Sequence, residues 1–170
     1  MNPVLAEYGP VNCLNVTGVG EPGGAEHTAA IGALYAVAAR MGGPGGPLEG
    51  QWFVEDDRPP LTVPRQEWRW HLLLPLAAAP EPGAAERARE AARASGAAVD
   101  RVRVVTFTEG ECVEVVHMGP FSQEHVSLAV MEAFMAERGL VANGLHHEVY
   151  LTALDDPRPR TVLRQPVRPA

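Results

Sequence analysis

The chain has 170 residues and a net charge of −7, and arginine alone supplies its 14 basic residues. A chain of this length can bury a sizeable core, and an acidic chain without a basic patch argues against direct binding to nucleic acid. No run of residues is apolar for long enough to span a membrane, and the first residues lack the pattern of a secretion signal. We therefore expect a cytoplasmic protein that does not bind membranes, with Cys13 and Cys112 as free thiols.

The first half of the chain predicts the order strand, helix, strand, strand. A weakly alternating strand is predicted over 11–19, before a turn cluster of glycine and proline. Apolar residues recur every three or four positions over 25–41, which predicts a helix that the glycine-rich segment 42–47 ends. Two strands, over 50–55 and 67–76, complete this half.

The second half predicts the same order after a connector. An alanine-rich, charged helix over about 80–97 is expected to link the halves. The segment 102–117 then predicts a long strand or a hairpin, and a helix follows over 123–138. Strands around Glu148 and over 161–167 complete the order.

The two halves also echo one another in sequence. The segment 48–54 aligns without a gap with 145–151, from Leu48 to Leu145 an offset of 97 residues, and the apolar positions of the two helices match at the same offset. This alignment places Glu148 at the position of neutral Gln51. A duplicated module predicts two similar halves with a cleft where they meet.

These elements predict an α+β fold with an antiparallel sheet, because the connections between strands are short and the helices are too few to cover both faces of a parallel sheet. We expect one domain over 1–170, built from tandem strand-helix-strand-strand modules. Module one covers about 8–78 and module two about 99–168, with the connector helix between them.

Six short segments, taken in order and spacing, resemble the GyrI-like small-molecule-binding domain, which also forms the effector-binding half of multidrug-sensing transcription regulators. The segments are Leu34-Tyr35, Leu48-Glu49-Gly50-Gln51-Trp52, Trp68-Arg69-Trp70, Glu111-Cys112 with His117-Met118-Gly119-Pro120, His146-His147-Glu148-Val149-Tyr150-Leu151, and Thr161-Val162-Leu163-Arg164. The resemblance implies tandem modules, a ligand groove between them, and a central glutamate in that groove at Glu148. Because the chain begins almost at the first strand, we expect a stand-alone member without a DNA-binding part.

Strand alternation places His146, Glu148 and Tyr150 on one face of their strand. A carboxylate enclosed there loses hydration, which raises its pKa and suits it to attract a cation or to take a proton from water. The alternative is a structural carboxylate, either exposed or paired with an arginine such as Arg164.

Aromatic residues cluster on the predicted strands, although they form only 6% of the chain. Such rings stack on flat molecules, so we expect a flat aromatic, hydrophobic or cationic small molecule as the partner. By alternation, Trp52 and Phe53 face opposite sides, and core packing is the alternative for each ring. The candidates are Tyr35, Trp52, Phe53, Trp68, Trp70 and Tyr150.

Metal and nucleophile chemistry have weaker support. His146 and His147 are neighbours on a strand and point to opposite faces, and no metal-binding spacing accompanies them, so we predict no metal and no other cofactor. Cys112 and His117 are also predicted on opposite faces, which argues against a cysteine nucleophile. His117 and His146 are candidate ligand-binding residues, with a hydrogen-bonded core histidine as the alternative for His117.

Three functions fit these observations. Some stand-alone GyrI-like proteins hydrolyse the cyclopropane of spirocyclopropyl-cyclohexadienone natural products of the duocarmycin and CC-1065 type, which alkylate DNA; the resemblance then implies self-protection, with Glu148 as general base and Tyr35 or Tyr150 as proton donor. The second function is non-catalytic binding and sequestration of drugs, with Glu148 as counter-charge. The third is an interaction role such as inhibition of DNA gyrase. An exposed sheet edge would allow a homodimer.

Overall fold

The computed structural model describes all 170 residues, Met1–Ala170. It confirms the α+β class, because three α-helices accompany strands whose pairings are antiparallel. The chain forms two compact units: a central unit, Val11–Phe107, and a terminal unit that joins Met1–Pro10 to Thr108–Ala170. No helix combines the length and the apolar character that a membrane crossing requires.

The elements follow in chain order. They are β1 (Val4–Tyr8), β2 (Val11–Val19), α1 (Ala25–Ala38), β3 (Glu49–Phe53), β4 (Arg69–Pro75), α2 (Ala84–Ala92), β5 (Arg103–Phe107), β6 (Gly110–Met118), α3 (Glu124–Glu137), β7 (Leu140–Ala142), β8 (His146–Tyr150) and β9 (Arg160–Pro169).

In the central unit, four strands pair in the order β3-β4-β2-β5, and α1 packs against β2 and β4. Helix α2, the predicted connector, packs against α1 through three buried alanines, Ala85, Ala88 and Ala92. The core of this unit is made of large apolar side chains without exposed surface, among them Leu14, Leu34, Val37, Trp70, Leu72 and Leu74.

In the terminal unit, four strands pair in the order β1-β6-β9-β8, and β7 pairs with the last residues of β9. Helix α3 covers one face of this sheet. Met131 of α3 packs on Val113 and Val115 of β6 and on Leu163 and Val167 of β9. This packing sets the depth of α3 over the strand that carries Glu148.

The first strand and the break in 102–117 differ from the sequence prediction. Strand β1 was not predicted, and it pairs with β6 rather than with its neighbour β2. The hairpin alternative for 102–117 is wrong, because β5 pairs with β2 whereas β6 pairs with β1 and β9. Gly110 adopts φ of 74°, a left-handed conformation that glycine tolerates, at the start of β6. The domain boundaries of the two predicted modules stay a prediction.

Trp70 sets a requirement for glycine at position 18. The two residues are register partners on β4 and β2, and a Cβ at Gly18 would overlap the Trp70 indole ring. Trp70 is fully buried and donates a hydrogen bond from Nε1 to the carbonyl of Gly20 at 3.2 Å. The ring therefore occupies the space that a side chain at position 18 would need.

We expect Gly18→Ala to lower the free energy of unfolding by about 1–3 kcal/mol, because extra volume in a packed core forces its neighbours to shift. Gly32→Ala is the matched control, since a Cβ at this α1 position meets nothing within 4 Å and alanine favours a helix by about 1 kcal/mol. Urea denaturation of both variants checks the prediction. A Gly18→Ala protein as stable as the parent would contradict it.

A buried charge network lies on the face of β8 opposite Glu148. Glu114, Arg164 and His147 form one row across β6, β9 and β8, as direct register partners. Glu109 joins the row by accepting hydrogen bonds from Arg164 Nη1 at 2.9 Å and from His147 Nδ1 at 2.8 Å. Burial would raise the pKa of Glu109, but the hydrogen bond from His147 and the charge of Arg164 outweigh burial and lower it. The network connects β8 to β9 and β6 on the sheet face opposite Glu148.

The predicted alternative that Arg164 pairs with Glu148 does not hold. Arg164 pairs with Glu109 at 2.9 Å, and its guanidinium stacks at 3.5 Å over the ring of Tyr8. The reason is strand alternation, since Arg164 lies opposite His147 in the register, and Glu148 lies opposite Leu163.

We expect Arg164→Met to destabilise the protein by about 3–5 kcal/mol at pH 7, because it leaves the Glu109 carboxylate buried beside fewer donors. The pairing lowers the pKa of Glu109, so its stabilisation is present above the ordinary pKa of glutamate and is lost as the pH falls through the lowered value. The penalty should therefore shrink in acid. Arg168→Met, at an exposed position of β9, is the control in thermal unfolding at pH 4 and pH 7.

Candidate active site

Glu148 lies in the middle of β8 on the face that α3 covers. Its register partner on β9 is Leu163, and the partner of Leu163 on β6 is Val115, both of which belong to the core under α3. Only 8% of Glu148 is exposed. The sequence alternative of an exposed carboxylate is therefore wrong, because alternation along β8 turns this side chain toward the helix.

Two neighbours on the same strand hold the Glu148 carboxylate. Tyr150 donates a hydrogen bond from its hydroxyl to Oε2 at 2.8 Å, and His146 Nε2 lies 3.2 Å from Oε1. A carboxylate accepts, so Nε2 of His146 carries the proton in this contact. The prediction that these three residues share one face is confirmed. Each carboxylate oxygen is thus oriented by a separate donor.

A second carboxyl, Glu124, meets this group from the first residue of α3. Carboxyl and imidazole atoms of Glu124, His146 and Glu148 all lie within 4.8 Å of one another. Burial, the negative charge of Glu148 and a hydrogen bond with it raise the pKa of Glu124 to about 8. At neutral pH the two carboxyls therefore hold one proton and one negative charge between them.

Glu124 was missed in the sequence although a signal for it exists. It stands one turn before Ser127 and two turns before Met131, the two buried residues of α3, so it continues their helical face. A glutamate in the first turn of a helix also suits the helix dipole, so its position in the sequence alone does not distinguish a site residue.

The same three side chains have the spacing that one divalent cation requires. A shared proton is the arrangement that we pursue, since both oxygens of Glu148 already accept hydrogen bonds, one from Tyr150 and one from His146. The prediction of no metal stays a prediction.

The register corrects the proposed equivalence of Glu148 and Gln51. Glu148 of β8 pairs with Leu163 of β9, which in turn pairs with Val115 of β6. In the central unit, Gly50 of β3 pairs with Leu72 of β4, which in turn pairs with Val16 of β2. The strand residues on the face of the central sheet that corresponds to Glu148 are therefore Gly50 and Trp52, on either side of Gln51. Gln51 faces the opposite side of its sheet, toward His71.

The helix counterpart of Glu124 is His27, at the offset of 97 residues that also matches the buried positions of α1 and α3. His27 is buried and lies between two indole rings, with centroids 5.5 Å from those of both Trp52 and Trp70. The backbone N–H of Gly23 donates to its Nδ1 at 3.1 Å. The central unit thus has an aromatic cluster where the terminal unit has a carboxyl pair.

Three of the predicted aromatic residues belong to this cluster. Trp52 and Trp68 are partly exposed and meet edge to face with centroids 6.1 Å apart, and Trp68 donates from Nε1 to the carbonyl of Val63. Trp70 has no exposed surface, so the structure places it in the core, where it supports the other rings through His27. Binding of a ligand by Trp52 or Trp68 stays a prediction.

Phe53 and Tyr35 lie apart from this cluster within the central unit. Phe53 packs on His71 with centroids 5.0 Å apart, on the face opposite Trp52, which confirms the alternation of these two residues. Tyr35 is 42% exposed on α1, away from the buried face of that helix. Their roles in binding or catalysis stay predictions.

His117 connects the sheet of the terminal unit to α3. Its Nδ1 lies 2.8 Å from Ser127 Oγ and its Nε2 lies 3.1 Å from the carbonyl of Pro120, in a buried position. Both ring nitrogens are occupied, which favours the structural alternative over ligand binding. Cys112 is a free, buried thiol whose pKa burial raises to about 12, so it is not a thiolate nucleophile at neutral pH.

One aromatic residue beside the carboxyl pair was not predicted. Phe121 precedes α3, is 38% exposed, and meets the ring of Tyr150 edge to face at 6.1 Å. It offers an apolar surface next to the buried hydroxyl that holds Glu148.

Comparison with known proteins identifies relatives among solved structures. Neither protein-family models nor curated proteins match the chain. An uncharacterized conserved protein from Listeria innocua is 33% identical, with a TM-score of 0.87 over 98% of this chain and 92% of that chain. A hydrolase encoded by lin2189 from the same organism is 32% identical, with a TM-score of 0.86 over the same shares of the two chains.

Two more distant structures share the fold at 10% identity. The C-terminal domain of EcmrR has a TM-score of 0.61 over 99% of this chain and 98% of its own. SAV2435, solved with tetraphenylphosphonium bound, has a TM-score of 0.53 over 99% of this chain and 94% of its own. Both are effector-binding domains of the GyrI-like fold.

The chain has an α+β fold built of two compact units, with a buried glutamate at the center of β8. It is more than 30% identical to the Listeria innocua proteins over almost its whole length. The chain belongs to the same family as these Listeria innocua proteins and has the GyrI-like fold.

Proposed function

We propose that the protein is a hydrolase that opens the cyclopropane ring of spirocyclopropyl-cyclohexadienone compounds of the duocarmycin and CC-1065 type, and so protects its host from DNA alkylation. The observation that carries the proposal is the buried Glu148 carboxylate, oriented by His146 and Tyr150 and sharing one proton with Glu124. This arrangement provides one negative charge in an enclosed place, which suits a general base.

The reaction needs one base and one water molecule. Glu148 takes a proton from the water as its oxygen forms a bond to the cyclopropane methylene. The bond between that methylene and the spiro carbon breaks, and its electron pair passes through the conjugated ring to the carbonyl oxygen, which becomes a phenolate and then takes a proton. The sum is addition of one water, with a contribution of about 10²–10⁴-fold from the base.

Tyr150 acts through Glu148 in this proposal. Its hydroxyl is already donated to Oε2, so it orients the base rather than serving the phenolate oxygen. Phe121, whose ring meets that of Tyr150 edge to face, is the proposed apolar surface for the flat substrate beside Glu148. Support from relatives is limited to the name hydrolase of the Listeria innocua protein.

A binding role without catalysis is the second candidate. The observation that favours it is SAV2435, which was solved with a lipophilic cation bound, together with the single negative charge of the carboxyl pair. A binder would release its ligand unchanged. Gyrase inhibition, homodimer formation and the absence of nucleic-acid binding stay predictions.

We expect the purified protein to convert a duocarmycin-type cyclopropane compound into a product heavier by one water, followed by liquid chromatography and mass spectrometry. Glu148→Gln should lower the rate by at least about 100-fold, because the amide cannot accept the proton. Glu132→Gln, which removes an exposed carboxylate of α3, is the matched control and should leave the rate unchanged.

The same assay separates the alternatives. Addition of a chelator should have no effect, since the proposed base needs no metal. Recovery of unchanged but bound compound would support the binding role, and full activity of the Glu148→Gln protein would contradict the role of Glu148.

We expect Tyr150→Phe to lower kcat by about tenfold with little change in KM, because loss of the donor leaves the base less well oriented. Tyr35→Phe tests the other predicted donor. A tenfold loss in that variant alone would assign the role to Tyr35.

A further inference from the structure

We infer that Glu124 is a positioning residue that works in its protonated form: its carboxyl donates a hydrogen bond to the Glu148 carboxylate and keeps the pair at a single negative charge. The inference deepens the proposed function and rests on it for its kinetic test. It adds a group that the resemblance and the relatives do not assign.

The first line of support is how firmly α3 places Glu124. Ser127, one turn further along, is fully buried and bonded to His117 of β6, and Met131 is buried in the core. With these contacts fixed, the first residue of α3 has little freedom to turn away from β8. The meeting of the two carboxyls is therefore built into the packing.

The second line of support is that the only neighbouring charge acting on Glu124 is the negative charge of Glu148. The side chains beside Glu124 are Glu148 and His146 of β8, and His117 of β6 uses both ring nitrogens elsewhere. Oε1 of Glu124 is enclosed and has no hydrogen-bond partner. An ionised carboxylate with an unsatisfied enclosed oxygen is costly, whereas a protonated carboxyl can donate its proton to Glu148 through the other oxygen.

The third line of support is electrostatic. Burial, followed by the charge of Glu148, raises the pKa of Glu124 to about 8. Two carboxyls that share a site cannot both ionise at neutral pH. At neutral pH the protonated Glu124 makes an attractive contact with Glu148, and above about pH 8 the ionisation of Glu124 replaces that contact by repulsion.

The test compares pH–rate profiles of the parent protein, Glu124→Gln and Glu124→Leu between pH 6 and 10. The parent should lose activity in alkaline solution with an apparent pKa of about 8. Glutamine donates a similar hydrogen bond and has no proton to lose, so Glu124→Gln should keep activity within about tenfold at pH 7 and lose the alkaline limb. Glu124→Leu should be impaired at every pH, and Glu132→Gln should match the parent.

Either of two kinetic results would overturn the inference: an unchanged alkaline limb in Glu124→Gln, or full activity of Glu124→Leu. A structural residue without a role in the charge of the site would alter the rate without removing a pH limb.

A measurement without substrate separates this inference from the proposed reaction. Infrared difference spectra between pH 6 and 10 should show one protonated carboxyl that ionises near pH 8 in the parent and is missing in Glu124→Gln. If this signal is present but no hydrolysis occurs, the proton-sharing pair stands and the proposed reaction fails. If it is absent, the inference fails regardless of the reaction.

The pH dependence of stability provides a further check on the raised pKa of Glu124. The raised pKa means that the folded protein holds a proton that the unfolded chain releases, so this contribution is present below the ordinary pKa of glutamate and is lost as the pH rises toward 8. Relative to Glu124→Gln, the parent should therefore lose melting temperature between pH 5 and 8. A parallel pH dependence of the two proteins would contradict the raised pKa.

Discussion

The contact between the buried carboxylate of Glu148 and the half-buried carboxyl of Glu124 is the constraint on which the proposed chemistry depends. Packing of α3 on β6 and β9 brings Glu124 against Glu148, and the negative charge of Glu148 is the only neighbouring charge that acts on Glu124. One proton must therefore stay between them at neutral pH, which leaves a single charge on an oriented carboxylate. Folding in this way costs stability, and such a cost is commonly found where a site does chemistry.

The two units have similar strand pairings but different side chains under their helices. On the corresponding face, the central unit has Gly50 and Trp52 on β3 and His27 on α1. His27 lies against Trp52 and Trp70, so aromatic packing fills the place that the carboxyl pair has in the terminal unit. The asymmetry confines the acidic group to one unit. A single base suits a reaction in which one water molecule attacks one methylene.

The sequence predicts the helices and most strands within a few residues, because the spacing of apolar residues and the position of glycine-rich turns depend only on neighbouring residues. It also predicts the shared face of His146, Glu148 and Tyr150, since alternation along a strand needs no tertiary information. It misses β1, whose partner β6 is distant in the chain. It also aligns Glu148 with Gln51, which faces the other side of its sheet, because register depends on pairing between strands. The contact between Glu124 and Glu148 requires the packed helix and could not be read from either segment alone.

The central claim is that Glu148 acts on water as a base and does not attack the substrate itself. A single turnover in water enriched in oxygen-18, with enzyme in excess over a duocarmycin-type cyclopropane, tests this claim most directly. We predict that the new hydroxyl of the product carries oxygen-18 in the first turnover and that Glu148 stays unlabelled. Unlabelled product, with oxygen-18 found in the Glu148 carboxylate, would show that a glutamyl ester had formed and would contradict the account.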